Sequence, residues 1–300
     1  MSGALAGMVH MVRGGVYTVV TDDGTLVEAS LRGRLKQQTR EGDQVVIGDR
    51  VHLGLQEGGA YTIEAVEPRR TRIARTRGGG HRPRVLVANA DRLLAVMAGA
   101  DPSPRQEVLD RLLVAGEAGG VEPVVVLNKV DLPGGREVAD RLAAVYGKVG
   151  YRVVEASALT REGLDDLRAV VCDGLSAMAG PSGVGKSSLA NALEPALELR
   201  TGELSRKLGR GRHTTVTSRL IRLSCGGLLA DTPGFSDVGL WGVPPDELDL
   251  YFPEMRALRE ACRFRGCTHL HEPGCAVRDA LDAGEIDPGR YRSYRTLFEG

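Results

Sequence analysis

The hydrophobic pattern changes character twice along the chain. Up to about residue 77 it consists of short apolar runs separated by turn signals. Gly15–Val20 is followed by Asp22-Asp23-Gly24 and then Thr25–Ala29, and further runs cover Val45–Leu53 and Ala60–Val66. Such spacing predicts a small all-β unit, and five strands in a stretch of this length fit an OB-fold barrel. A barrel of this type either binds oligonucleotides or simply packs on its neighbour.

From Val85 onward apolar runs alternate with helical segments. Arg92–Met97 and Val124–Leu127 have the composition of buried parallel strands. Between them Val108, Leu109, Leu112 and Leu113 recur at helical spacing. Strand–helix–strand alternation predicts a doubly wound α/β sheet. After Pro244-Pro245 the chain becomes polar, helical in pattern and rich in arginine. The expected organisation is therefore a barrel over 1–77, a basic glycine-rich linker over 78–84, an α/β domain over 85–243 and a helical module over 244–300.

Lys and Arg number 39 against 39 Asp and Glu, so the net charge is zero and any nucleic-acid contact must use local patches. One patch is Arg69–Arg84, with seven arginines and no acid, which reads equally as a flexible cationic linker or a phosphate-contacting arm. No apolar run approaches the roughly 18 residues of a membrane span, and the N-terminus lacks the pattern of a signal peptide. Three of the five cysteines cluster near the C-terminus with histidine among them, which suits metal ligation in a reducing, cytosolic compartment. Cys172 and Cys225 stand apart and read as small core residues.

Gly180-Pro181-Ser182-Gly183-Val184-Gly185-Lys186-Ser187 has the form of a phosphate-binding P-loop, continued by Ser188 into a helical pattern. Its backbone N–H groups cradle phosphates, Lys186 reaches the β- and γ-phosphates, and the Ser187 hydroxyl ligates Mg²⁺. The preceding Leu175–Ala179 is a weak strand by composition. A P-loop does not choose between ATP and GTP, but Asn128-Lys129-Val130-Asp131 does, because a carboxylate at Asp131 accepts from guanine N1–H and its 2-amino group together. The Lys129 stem would cover the base with its head solvated. Ser157-Ala158 has the form of the loop that closes over the base.

Asp231-Thr232-Pro233-Gly234 supplies a switch II motif, in which Asp231 holds Mg²⁺ through water and the Gly234 N–H senses the γ-phosphate. Gly211-Arg212-His213-Thr214-Thr215 is the candidate switch I, with Thr215 favoured over Thr214 for the Mg²⁺ shell. The guanine motif precedes the P-loop, the reverse of the ordinary order. If both serve one nucleotide, the GTPase domain is circularly permuted.

Those five motifs in this order resemble the ribosome small subunit-dependent GTPases, the RsgA or YjeQ family, over nearly the whole chain. The resemblance implies an N-terminal OB-fold barrel, a central α/β circularly permuted P-loop GTPase domain and a C-terminal α-helical zinc-binding domain. It also implies a monomeric cytoplasmic enzyme that binds the small ribosomal subunit and its rRNA. GTP hydrolysis to GDP and phosphate would be stimulated by the subunit, coupled to release, and used in late subunit maturation. Two other readings are a nucleotide-gated RNA-binding protein with little turnover and a GTPase acting on another RNA.

Phe235 stands where Ras-like enzymes carry a water-orienting glutamine. His213 is the candidate substitute, with an ordinary surface histidine as the alternative. Cys262, Cys267, His269 and Cys275 give a C-x4-C-x-H-x5-C set suited to one structural Zn²⁺, with His271 as an alternative nitrogen ligand; the family pattern matches His269. Chelation is expected to unfold the C-terminal module and leave GTP binding largely intact.

Overall fold

The computed structural model describes residues 5–33, 35, 44–75, 84–197, 218–232 and 243–300. Five strands open the chain: β1 (Leu5–Arg13), β2 (Val16–Thr21), β3 (Leu26–Leu31), β4 (Arg50–Leu55) and β5 (Tyr61–Val66). They pair in the order β1-β2-β3-β5-β4, and β4 returns to β1, which closes a barrel. Only the β3–β5 pairing is parallel. Alternate residues point inward, so Val9, Val19, Val51, Leu53 and Ile63 fill its interior.

Of the expected linker, Arg84 is among the described residues. Arg84 opens a strand, β7 (Arg84–Ala88), which pairs antiparallel with β6 (Arg72–Arg75). Ile73 and Val87 bury themselves in the core of the α/β domain, an apolar gain that the surrounding arginines hide in the sequence. Nor is the start of the arginine run a free arm: Arg69 Nε lies 2.7 Å from Asp49 Oδ1, with that carboxylate fully buried, and Arg70 pairs with Asp91 at 3.1 Å.

The α/β domain contains β8 (Arg92–Ala98), α1 (Gln106–Ala118), β9 (Glu122–Asn128), α2 (Gly135–Val149), β10 (Arg152–Glu155), α3 (Leu164–Val171), β11 (Leu175–Ala179), α4 (Lys186–Leu193), β12 (Ser218–Arg222) and β13 (Leu228–Asp231). Its strands run β10-β9-β8-β11-β13-β12, parallel except for β12. Each central strand feeds two cores. Leu93, Ala95 and Met97 of β8 face α1 and α2, while Leu94 and Val96 face α3 and α4. β11, weak by composition, is wholly buried at the centre, where small Ala and Ser residues are stabilised by neighbours on both sides. The order reverses between β8 and β11, which makes their C-terminal ends the natural place for a ligand.

Two seams join the parts. β12 hydrogen-bonds to β1 of the barrel, with Met11 opposite Arg219, so barrel and α/β sheet are continuous. The C-terminal module follows a 3-10 stretch, Pro245–Tyr251, and comprises α5 (Pro253–Arg256), α6 (Ala276–Asp282) and α7 (Pro288–Glu299). Asp287 caps α7 by accepting from Arg290 N at 3.0 Å. Phe252, Met255, Val277 and Tyr294 form the module's core, to which α1 contributes Val114.

Cys172 and Cys225 are not core residues. They form a disulfide between the end of α3 and the β12–β13 turn, with Cys225 exposed. The close approach follows from packing of that turn on the helix end, a contact between segments distant in sequence.

Candidate guanine-nucleotide site and metal centre

Strand β9 ends on Asn128, strand β11 runs into the P-loop, and the buried Asn128 side chain joins the two. Its Nδ2 donates to the Val184 carbonyl at 2.8 Å, and its Oδ1 accepts from the Ala158 backbone N–H at 3.1 Å. One amide thus ties the Asn128–Asp131 motif, the P-loop and the Ser157-Ala158 loop together. Ser157 shapes the last of these, its Oγ accepting from Leu159 N at 3.2 Å and Thr160 N at 3.0 Å. The close fit needs glycine at 185: its φ is +94°, and a Cβ there would lie 2.3 Å from Asn128 Nδ2.

Lys129 adopts φ +62°, and its ammonium donates to the Asp101 carbonyl in a solvent-exposed contact. Asp131 is exposed. Lys186 opens α4 and donates to the carbonyls of Gly180 at 2.7 Å and Pro181 at 2.8 Å. Burial lowers its pKa to about 8.

A bound phosphate favours the charged lysine, so nucleotide binding should take up a proton once the free protein has begun to lose it. GDP affinity is therefore expected to be level below about pH 8 and to fall by up to roughly tenfold per unit above it. Lys186→Arg, which stays charged, should flatten the profile. Titration of GDP binding between about pH 7 and 9 checks this, and equal wild-type affinity at both ends would refute it.

Ser187 lies at the start of α4, after β11, and Asp231 ends the adjacent parallel strand β13. Both oxygens suit Mg²⁺, a hard cation. Asp231 is paired with Arg219 of β12 at 3.1 Å, an interaction the sequence did not suggest. His213, Thr215, Gly234 and Phe235 lie outside the described residues.

In the C-terminal module the ligand atoms of Cys262, Cys267, His269 and Cys275 lie within 4.8 Å of one another. His269 Nδ1 is 3.6 Å from Cys262 Sγ and 3.3 Å from Cys275 Sγ. These separations match the edges of a tetrahedron with bonds of about 2.0–2.3 Å, as for zinc. His269 Nε2 meets Asp249 Oδ2 at 3.3 Å, and Arg259 Nε holds the same carboxylate oxygen at 3.2 Å. Such a partner orients the ring with Nδ1 toward the thiols. Tyr291 donates to the His269 carbonyl at 2.7 Å. Burial pushes the Cys267 thiol up to about 12, a cost that a dication reverses by favouring thiolate. The donor set fits Zn²⁺, and His271 is exposed outside the cluster.

Residues 66–241 match the RsgA GTPase family profile. The chain belongs to this family. It is 46% identical over 300 residues to the small ribosomal subunit biogenesis GTPase RsgA of Gemmatimonas aurantiaca, covering 99% of this chain and 97% of that one. The RsgA of Moorella thermoacetica is 44% identical, with 95% and 93% covered. Among solved structures, YjeQ from Thermotoga maritima superposes with a TM-score of 0.81 at 32% identity, covering 98% of this chain and 97% of YjeQ. YloQ, described as a circularly permuted GTPase, gives 0.77 at 28% identity, with 99% and 95% covered. That description of YloQ agrees with the permuted motif order of this RsgA-family chain.

Proposed function

We propose that the chain is a cytoplasmic, monomeric GTPase that binds the small ribosomal subunit and its rRNA during late maturation, hydrolysing GTP to GDP and phosphate. Subunit binding stimulates turnover, and hydrolysis is coupled to release. The observation that carries the nucleotide reading is the Asn128 amide, which unites three nucleotide-binding loops at one edge of the sheet. The ribosomal partner is inferred from the named relatives, which resemble this chain along almost their full length.

In this reading Asp131 selects guanine, Lys129 covers its ring, and Ser157 and Ala158 close the loop over it. Gly180, Pro181, Ser182, Gly183, Val184 and Gly185 wrap the phosphates, Lys186 neutralises them, and Ser188 continues the helix that points its N-terminus at them. Ser187, Thr215 and Asp231 would hold Mg²⁺, which on binding neutralises charge developing on the β- and γ-phosphate oxygens. For Asp231 to do so, Arg219 must release it. Gly234 senses the γ-phosphate, and His213 orients the attacking water when the subunit is bound. Cys262, Cys267, His269 and Cys275 hold one structural Zn²⁺.

GTP hydrolysis with and without purified small subunits tests the proposal. Strong stimulation by the small subunit alone is expected, and no turnover under any condition would favour a nucleotide-gated RNA-binding protein. Equal single-turnover rates for His213→Ala and wild type on the subunit would remove His213 from the mechanism.

A further inference from the structure

The β12–β13 turn sits directly on the C-terminal end of α3. A Cβ at Gly227 would lie 1.9 Å from the Val171 carbonyl oxygen, so only glycine allows this backbone approach. Leu228 N donates to the Gly174 carbonyl at 2.9 Å, while Leu223 N to Gly227 O at 2.8 Å and Gly226 N to Leu223 O at 2.9 Å close the turn itself. These contacts bring Cys172, at the helix end, and Cys225, in the turn, to a Cα separation of 5.4 Å, within ordinary disulfide reach. Because backbone packing makes the approach, the two thiols remain opposed when the bond is reduced.

The surroundings favour a bond that is made and broken. Cys225 is exposed and Cys172 half-buried, so small thiols and disulfides have access to one sulfur. The other three cysteines are thiols gathered in the metal cluster, a chemistry suited to reducing surroundings. Disulfides in such surroundings are usually transient or redox-sensing.

The crosslink joins the segments that enter the parallel strands β11 and β13, whose opposite ends carry the P-loop and Asp231. Cys172 and Cys225 are 53 positions apart, and the ring they close contains the whole P-loop. One anchor is α3, which begins soon after the Ser157–Thr160 loop; the other is the hairpin that ends on Asp231.

We propose that Cys172 and Cys225 form a reversible redox site, worked by low-molecular-weight thiols and disulfides, that sets how tightly the chain holds guanine nucleotide. The Cys225 thiolate attacks a small disulfide, forming a mixed disulfide and expelling one small thiolate. The Cys172 thiolate then attacks the Cys225 sulfur and expels the second. Two electrons pass to the small disulfide, and the two cysteine protons end on the two released thiols. The bond pins β11 against β13 where both strands begin and limits their relative motion in the nucleotide-free chain, so less freedom is lost when the P-loop and Asp231 at their far ends take up nucleotide. The inference rests on the guanine-nucleotide reading of the P-loop.

The test equilibrates full-length, zinc-loaded protein in buffers of varied oxidised-to-reduced glutathione ratio. Peptide mapping measures the Cys172–Cys225 crosslink, and titration measures GDP affinity. The crosslinked fraction should rise with the ratio, and the oxidised form should bind GDP at least about fivefold more tightly. Cys225→Ser should bind like the reduced form at every ratio. The proposal is overturned if no crosslink forms while the zinc stays bound, if both forms bind GDP within about twofold, or if Cys225→Ser still responds. GDP binding by the reduced protein would then leave the nucleotide reading intact, whereas absence of GDP binding in both forms would sink the two together.

Discussion

Asn128→Ala is expected to weaken GDP binding about a hundredfold in a protein that still folds. The side chain is 1% exposed and satisfies the Val184 carbonyl and the Ala158 N–H at once. Alanine leaves both groups without their partner, and each orphaned buried group costs about 1–3 kcal/mol. Those groups belong to the P-loop and the Ser157-Ala158 loop, so their relaxation would move the backbone proposed to grip phosphate and base. Asn128→Asp should not rescue, because it keeps the acceptor for Ala158 but turns a carboxylate oxygen toward the Val184 carbonyl. Titration with a fluorescent GDP analogue measures the loss, and affinity within about twofold of wild type would contradict the bridging role.

Arg290→Met should lower stability by about 3–5 kcal/mol, the usual cost of removing one partner from a buried ion pair. Arg290 is fully buried on α7, and its guanidinium reaches Asp110 of α1 at 2.7 Å and both Glu254 oxygens at 2.7 and 2.9 Å. It stacks over Phe252 with its carbon 4.6 Å from the ring centroid, and Tyr146 donates to the same Asp110 oxygen at 2.6 Å. Burial already raises the Asp110 pKa against the pull of Arg290, and without the arginine it rises further. An acid whose folded pKa exceeds its unfolded value carries a penalty above the folded pKa, relieved as pH falls through it. The deficit of Arg290→Met should therefore shrink on acidification, and adding Asp110→Asn and Glu254→Gln should recover part of it at neutral pH. Thermal unfolding of the three proteins checks this; a midpoint for Arg290→Met within about 2 °C of wild type would contradict it.

The two effects mark where sequence reading succeeded and where it stopped. The runs of β8 and β9, the glycines around Lys186 and the spacing of Cys262 to Cys275 are local patterns whose physical reason lies within a few residues. The β6–β7 hairpin was hidden because Ile73 and Val87 sit among arginines and gain their burial from α1 and the central sheet. Asn128 was legible as a member of the guanine motif, but its hydrogen bonds to Val184 and Ala158 join segments 56 and 30 positions away. The Arg290–Asp110 pair spans 180 positions, the Cys172–Cys225 bond spans 53, and the β1–β12 seam joins the first described strand to the penultimate one. No local periodicity encodes such pairings. They arise where separately formed elements meet, and here they join barrel, α/β sheet and C-terminal module.

The permuted order leaves one requirement above the others: the guanine motif and the later P-loop must grip the same molecule. Binding of GDP and xanthosine diphosphate to wild type, Asp131→Asn and Lys186→Ala measures this directly. Xanthine carries a carbonyl where guanine carries its 2-amino group, so an asparagine amide can donate where the aspartate accepted. Asp131→Asn should lose GDP affinity by about a hundredfold and prefer the xanthine nucleotide, since unpaired polar groups in a recognition site are costly. Lys186→Ala should weaken GDP binding without changing the preferred base. Unchanged GDP affinity in Asp131→Asn would mean that the two motifs do not share a nucleotide.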